Sequence, residues 1–160
     1  MAKISTDLRL STAEIDRLMR TEKLVRIATA GPGQRINLTP MTFGWANGKV
    51  YIFGRGQKIA NLRRNQVTTL LVDVGEQWRE LKGIMMQGVA HVLESAQEEA
   101  ADADLAAARL NLGEKHGLLK SGQVQPYGAT AAGRSRRWIV FEPNHTVSWN
   151  NEKLPAGGGG

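Results

Sequence analysis

The sequence predicts a small, mostly β protein of the α+β class: a mainly antiparallel barrel of about six strands with helices at its periphery. Three observations point there. Short runs rich in β-branched and apolar residues recur between turn signals. Two of these runs are joined by Asn47-Gly48, a strong hairpin signal. Only one stretch reads strand, helix, strand, so a doubly wound parallel sheet is disfavoured. At 160 residues the chain suits one domain, residues 1–154, with "PAGGGG" at 155–160 a flexible tail whose glycines are left out of the fold.

The elements follow in order. "LSTAEIDRLMRTEK" carries a capping box, Ser11 with Glu14, and apolar Ile15, Leu18 and Met19 at helical spacing, which predicts an amphipathic helix lying on a sheet. "KLVRIATAG" reads as a strand stopped by the turn Gly31-Pro32-Gly33. In "RINLTPMTFGWANG" the alternation slips once: Ile36 and Leu38 share one parity, Met41, Phe43 and Trp45 the other. A slip at Thr39-Pro40 predicts a β-bulge there, of the kind that re-aims side chains beside a site. Asn47-Gly48 then leads into the strand "KVYIFG", and "VTTLLVDVG" and "GIMMQGVAHVLE" are two more strands. A second capping box, Ser95 with Glu98, opens an alanine-rich helix ending near Gly113. "SGQVQPYGATAAGRS" is loop by composition, and "RRWIVFEPNHTVSW" is a last strand broken by Pro143.

Composition excludes several functions. There is no cysteine, hence no disulfide and no cysteine-ligated zinc, which suits a reducing compartment. His91, His116 and His145 are scattered without ligand spacing, so no metal site is expected. No apolar run approaches the about 20 residues that span a bilayer, and the N-terminal residues lack a signal-peptide core, so a cytoplasmic protein away from membranes is expected. The 21 Lys and Arg against 15 Asp and Glu give a net charge of +6, which favours anionic ligands. No catalytic acid, base or nucleophile stands out, an objection to a hydrolase but not to an enzyme whose cofactor carries the chemistry.

The candidate anion site is "YIFGRGQKIANLRRN", residues 51–65, where a strand runs through Gly54-Arg55-Gly56 into a short basic helix. It is neither a P-loop nor a dinucleotide fingerprint: Ile59 stands where a third glycine would, and no Ser or Thr follows Lys58. Backbone N–H groups at a strand end leading into a helix N-terminus still favour an anion, with Arg55 for bidentate oxygen contacts and Lys58 as a point charge. A charge run is commonly only a solvated face. Placement argues otherwise, because the polar positions Arg35, Asn37 and Thr39 are expected on the hairpin partner strand directly beside these cations.

These segments, taken with "ELKGIMMQGVAHVLE" and "WIVFEPNHTVSWNNEKL", resemble the pyridoxamine 5′-phosphate oxidase-like family of FMN-binding split barrels. The nearest resemblance is to its flavin/deazaflavin oxidoreductase branch, through "RINLTP" and "GRGQKIANLRR". The resemblance implies a homodimer with cofactor clefts at the subunit interface, binding FMN or coenzyme F-420 and moving hydride to or from a small organic substrate. It implies that the cofactor ring lies near Asn37, Leu38 and Thr39 with Pro40 beside them. The phosphate then lies near Arg55, Gly56, Gln57 and Lys58, and Lys82 and Gly83 form a second ring-edge contact. The R-x-H-x-R substrate motif of the oxidase proper is missing, which counts against pyridoxamine phosphate oxidation.

Of the tryptophans, Trp45 and Trp138 read as core, whereas Trp78, in the loop "GEQWRE", is placed to roof a substrate pocket or to cross a dimer seam. Two other functions share the pattern: a non-catalytic flavin, haem or tetrapyrrole carrier on the same scaffold, and a nucleic-acid-binding barrel. The strands lack the exposed aromatic platforms of single-strand binders, so nucleic acid is disfavoured. Between the cofactors, the cations at 55–64 favour coenzyme F-420, whose polyglutamate tail adds negative charge to its phosphate.

Overall fold

The computed structural model describes residues 6–117 and 136–156. Within them the chain forms one seven-stranded sheet in the order β2-β1-β5-β6-β7-β4-β3, with every neighbouring pair antiparallel. The strands are β1 Leu24–Ala30, β2 Ile36–Thr42, β3 Gly44–Ala46, β4 Lys49–Gly54, β5 Val67–Val74, β6 Lys82–Leu93 and β7 Arg137–Asn150. The helices are α1 Thr12–Thr21, α2 Gln57–Arg64, α3 Ala96–Ala101 and α4 Leu105–Lys115. The two edge strands, β2 and β3, are separated in the chain by Phe43 alone. A sheet whose opposite edges are joined by one residue has to curl until they meet, and the result is the expected split barrel.

Ile27, Val25, Leu70, Val72, Ile84, Met86 and Phe141 fill the barrel together with Met19 of α1 and Ile59 and Leu62 of α2. A second core lies on the outer side of β4 and β7, where Tyr51, Phe53, Trp138 and Val140 receive Leu105, Ala108 and Leu112 of α4. α4 packs tightly on β3, for a Cβ on Gly44 would stand 2.1 Å from Ala108 O. Trp45 and Trp138 are buried, as the sequence predicts. Trp45 is fixed through its Nε1, which donates to Asp16 Oδ1 at 2.9 Å, and its backbone N, which donates to Asn111 Oδ1 at 2.9 Å.

The capping box at Ser11 and Glu14 forms as expected, and Asn47 and Gly48 take φ of 49° and 72°, the left-handed pair that a two-residue hairpin turn requires. Three expectations are corrected. Pairing runs without a slip through Pro40, which sits opposite Arg26, so the predicted bulge is absent; the break is at Phe43, and Ile36 and Leu38 simply face outward. That break divides one expected strand into β2 and β3, so the expected barrel of about six strands has seven among the described residues. The bulge lies at the other strand proline: β7 continues through Pro143, and the register against β6 shifts between Gln87 and Gly88. Gly88 admits this close approach, since a Cβ there would meet Glu142 O at 2.0 Å. The alanine-rich helix is in fact two, broken at Asp102, whose Oδ1 accepts from Asp104 N and Leu105 N, each at 3.0 Å, and from the Tyr51 hydroxyl at 2.8 Å. A side chain that caps a new helix and also ties it to β4 outcompetes helix continuation. The expected loop at 121–135 and the tail from 157 onward lie outside the described residues. Among the described residues no helix is long and apolar enough to cross a membrane.

Lys115, at the end of α4, reaches back to the crossing residue. Its Nζ donates to Phe43 O at 3.1 Å and lies 3.3 Å from the Phe43 ring centroid. Burial pushes its pKa down to about 7, Glu22 pulling it up and Arg20 pushing it further down. A lysine whose folded-state pKa lies below its unfolded value binds fewer protons in the folded chain, so stability rises with pH between the two values. Wild type is expected to gain roughly 2 to 3 kcal/mol between about pH 7.5 and 9.5 from this group. Denaturant melts of wild type and Lys115→Met over that range check it: the rise is expected in wild type and missing from the variant.

Candidate functional site

The chain leaves β4 at Gly54 and enters α2 at Gln57 through Arg55 and Gly56. Gly56 takes φ 83°, a backbone region that costs other residues about 1 to 2 kcal/mol. Gly54 serves by lacking a side chain, because a Cβ there would meet Lys58 Cδ at 3.3 Å and Met41 Cε at 3.5 Å. The Lys58 stem therefore lies against the strand end, 9% exposed, with Nζ donating to Arg55 O at 3.0 Å. Burial, and then the Arg55 charge, depress its pKa. The first N–H groups of α2 have no intrahelical acceptors and point the same way.

A cleft of about 430 Å³ opens here, where β4 passes β2 without pairing to it. Leu24, Pro40, Met41 and Thr42 form one wall; Phe53, Gly54, Arg55 and Lys58 form the other, and Arg136 also lines the cleft. The expectation that the Asn37 strand is the hairpin partner of β4 is thus corrected: β4 pairs with β3 and β7, and β2 faces it across the slit. No carboxylate lines the cleft among the described residues, nor does a histidine. Arg55, Lys58 and Arg136 line it together with no carboxylate among the described lining residues.

The other residues singled out by sequence divide. Asn37 and Thr39 lie on β2 with Asn37 Oδ1 and Thr39 Oγ1 buried and without a hydrogen-bond partner, atoms a bound group could satisfy. Leu38 faces outward, 63% exposed. Gln57 turns its amide to Asn61 Oδ1 at 2.8 Å, and Asn61 Nδ2 donates to Thr29 Oγ1 at 3.0 Å. That chain ties α2 to β1 and engages one of the two N–H donors of the Gln57 amide. Lys82 lines a second cleft, about 240 Å³, with Glu14, Arg17, Glu22 and Glu152. Gly83 beside it makes room for Trp149, whose Cζ2 would lie 2.6 Å from a Cβ. Trp78 is 62% exposed on a 3-10 turn, Trp78–Glu80, held by Asn151 Nδ2 donating to Trp78 O at 2.8 Å and Arg79 donating to Leu154 O at 2.9 Å. Within one chain, Lys82 and Trp78 line no part of the first cleft.

The basic run is also sorted. Arg63 forms a two-bond pair with Glu94, at 2.7 and 2.8 Å, and Arg64 is exposed at the helix end; neither lines the cleft. Sequence reasoning missed Arg136. The signal was the Arg136-Arg137 pair before the last strand, but its meaning depends on Arg137 pairing with Gly54, which no local pattern reveals.

Fold and cleft together define a split-barrel protein with a cation-lined cleft where two strands face each other without pairing. A sequence model of the pyridoxamine 5′-phosphate oxidase family matches residues 11–150, and the chain belongs to that family. No curated protein matches it in sequence. Among solved structures, a conserved hypothetical protein of Mycobacterium tuberculosis is 24% identical with a TM-score of 0.75, over 99% of this chain and 98% of that one. A FAD-binding protein of Mesorhizobium loti is 18% identical with a TM-score of 0.63, over 87% and 94%. An F-420 reductase is 16% identical with a TM-score of 0.58, over 82% and 94%.

The cradle predicts its own chemistry before any cofactor is considered. Inorganic phosphate is expected to raise the melting temperature of wild type and to leave that of Lys58→Met unchanged. Because Lys58 holds its charge against burial and Arg55, the variant without ligand should melt at or above wild type. Differential scanning fluorimetry with and without phosphate reads both effects.

Proposed function

We propose that the protein is a cytoplasmic, homodimeric oxidoreductase that moves hydride between bound FMN or coenzyme F-420 and a small organic substrate. The observation that carries this reading is the continuity of the cationic cleft with an uncovered apolar sheet face. Leu38, Ala28, Thr69 and Gln87 stand in one outward row across β2, β1, β5 and β6, and Pro40, Arg26, Leu71 and Met85 stand in the next. Ile36 and Val67 on the same face are 65% and 67% exposed, and Leu24, 49% exposed, belongs to both the face and the cleft wall. Large apolar side chains in such numbers on one sheet face mark an interaction surface. A two-fold copy laid on it would close the cleft from its open side.

In this reading Arg55, Lys58 and the backbone of Gly56 and Gln57 hold the cofactor phosphate, and β2 from Asn37 to Pro40 lies along the ring. Lys82, Gly83 and Trp78, remote from the cradle of their own chain, serve the site of the partner. The cofactor when bound supplies the hydride chemistry, while the chain supplies orientation, positive charge and exclusion of water. The FAD-binding and F-420 reductase structures that share the fold support a flavin-type ligand. The absence of a carboxylate or histidine from the described lining equally suits a carrier that binds without turnover, which is the second reading.

The visible spectrum and mass of the purified, reconstituted protein test the proposal. Flavin or deazaflavin absorbance on a particle of two chains by light scattering is expected, with Leu38→Asp shifting the mass toward one chain. A haem Soret band, binding of neither cofactor, or a single-chain mass at micromolar concentration would overturn it. Bound cofactor that no small oxidant or reductant discharges would select the carrier.

A further inference from the structure

We propose that the second cleft, at the end of the barrel beneath α1, binds a small zwitterion, a molecule that carries both a carboxylate and an ammonium group. The proposal does not depend on the cofactor reading: it concerns another cleft and another ligand.

Strand register builds the floor of this cleft. Val74, Lys82 and Asn150 are direct partners across β5, β6 and β7, so their side chains stand side by side on one face of the sheet. It is the inward face, because Ile84 and Met86, next on that side of β6, are each 1% exposed in the barrel core. The opposite wall is one stripe of α1, with Glu14, Arg17, Leu18 and Thr21 at helical spacing, continued by Glu22 just beyond the helix. The volume of about 240 Å³ holds about eight waters at about 30 Å³ each, which suits a ligand of roughly that many heavy atoms.

Charge selects the ligand. Glu14 is already engaged, its Oε2 accepting from Ser11 N at 2.6 Å and from Lys153 Nζ at 2.8 Å. Two cations, Arg17 and Lys82, and two carboxylates, Glu22 and Glu152, then line the cleft with no ion pair among the described residues. Glu22 also attracts Lys115, but the Lys115 ammonium is bonded elsewhere, to Phe43 O. Neither a simple anion nor a simple cation satisfies both signs. A buried donor adds to the set: Asn150 is 7% exposed, its Oδ1 accepts from Glu152 N at 3.0 Å, and its Nδ2 donates to no described atom. A buried amide nitrogen left open toward a cleft needs an acceptor, and Lys82 beside it favours an anionic one. A carboxylate held by Lys82 and Asn150 leaves Glu22 and Glu152 to receive an ammonium, with Leu10, Leu18 and Val74 against aliphatic carbon. A short aliphatic amino acid has that composition.

Isothermal titration calorimetry with leucine, γ-aminobutyrate, isocaproate and isoamylamine tests the proposal. The first two carry both charges, on one carbon and at the ends of a chain; the last two are leucine without its ammonium and without its carboxylate. Wild type is expected to bind a zwitterion at least about tenfold more tightly than either half-molecule. Asn150→Asp keeps the acceptor for Glu152 N and replaces the Nδ2 donor by an oxygen, so it should weaken that binding by about tenfold or more, and Glu22→Gln or Glu152→Gln by about tenfold. Inorganic phosphate, the probe of the first cleft, should not compete. Lys82, which the oxidoreductase reading gives to the partner's site, is untouched in every variant, so failure of that contact and failure of this proposal remain distinguishable. Binding of neither zwitterion, half-molecules that bind as well as the whole, affinity unchanged in all three variants, or competition by phosphate would overturn it.

Discussion

The structure depends on one covalent constraint: a single residue, Phe43, spans the two edges of the sheet. β2 belongs to the β1 edge and β3 to the β4 edge, so the crossing forces closure and at the same time prevents β2 from pairing with β4 beyond it. What remains between them is the slit that becomes the cleft. The crossing is pinned from both sides. Lys115 holds the Phe43 carbonyl and ring, and α4 lies so close to Gly44 that no side chain fits there. Asn111 binds both Trp45 N and Arg20 O, carrying the same restraint to α1. Two helices distant in sequence thereby hold open a gap to which they contribute no lining residue.

The site itself uses few side chains. Its anion cradle is a strand end, two glycines with different duties, a helix N-terminus and a buried lysine kept near an arginine. The charges are concentrated by the fold rather than by the sequence: Lys58 and Arg55 are local to one turn, but Arg136 arrives from the last strand. Such an arrangement concentrates positive charge with no carboxylate among the described lining residues, and the proposed anion binding rests on that.

Much of this was legible in the chain, for physical reasons that differ by element. The capping box at Ser11, the Asn47-Gly48 hairpin and the turn at Gly54-Arg55-Gly56 are local, so three or four residues suffice to specify them. The fold class followed from strand runs and turn signals. The alternation around Pro40 misled because apolar residues were assumed to face the core. Ile36 and Leu38 face outward on an edge strand, and no periodicity distinguishes a core face from a face that a partner covers. The break at Asp102 was missed because the acceptor role of its carboxylate toward Tyr51 is a tertiary fact. Lys82 and Gly83 were grouped with the cradle through resemblance and Trp78 was set over a pocket from its place in a loop, and one chain alone does not bring them there.

Pro40 has a consequence of a different kind. β2 is a free edge, and an exposed edge bearing Ile36 and Leu38 is a template onto which any extended chain could add itself. Proline has no N–H to offer an added strand, so each edge loses a rung of the ladder where Pro40 stands. A proline at this position therefore works against the addition of an extended chain to the edge. A substitution at Pro40 would therefore bear on the self-association of the chain as well as on the cleft wall it forms.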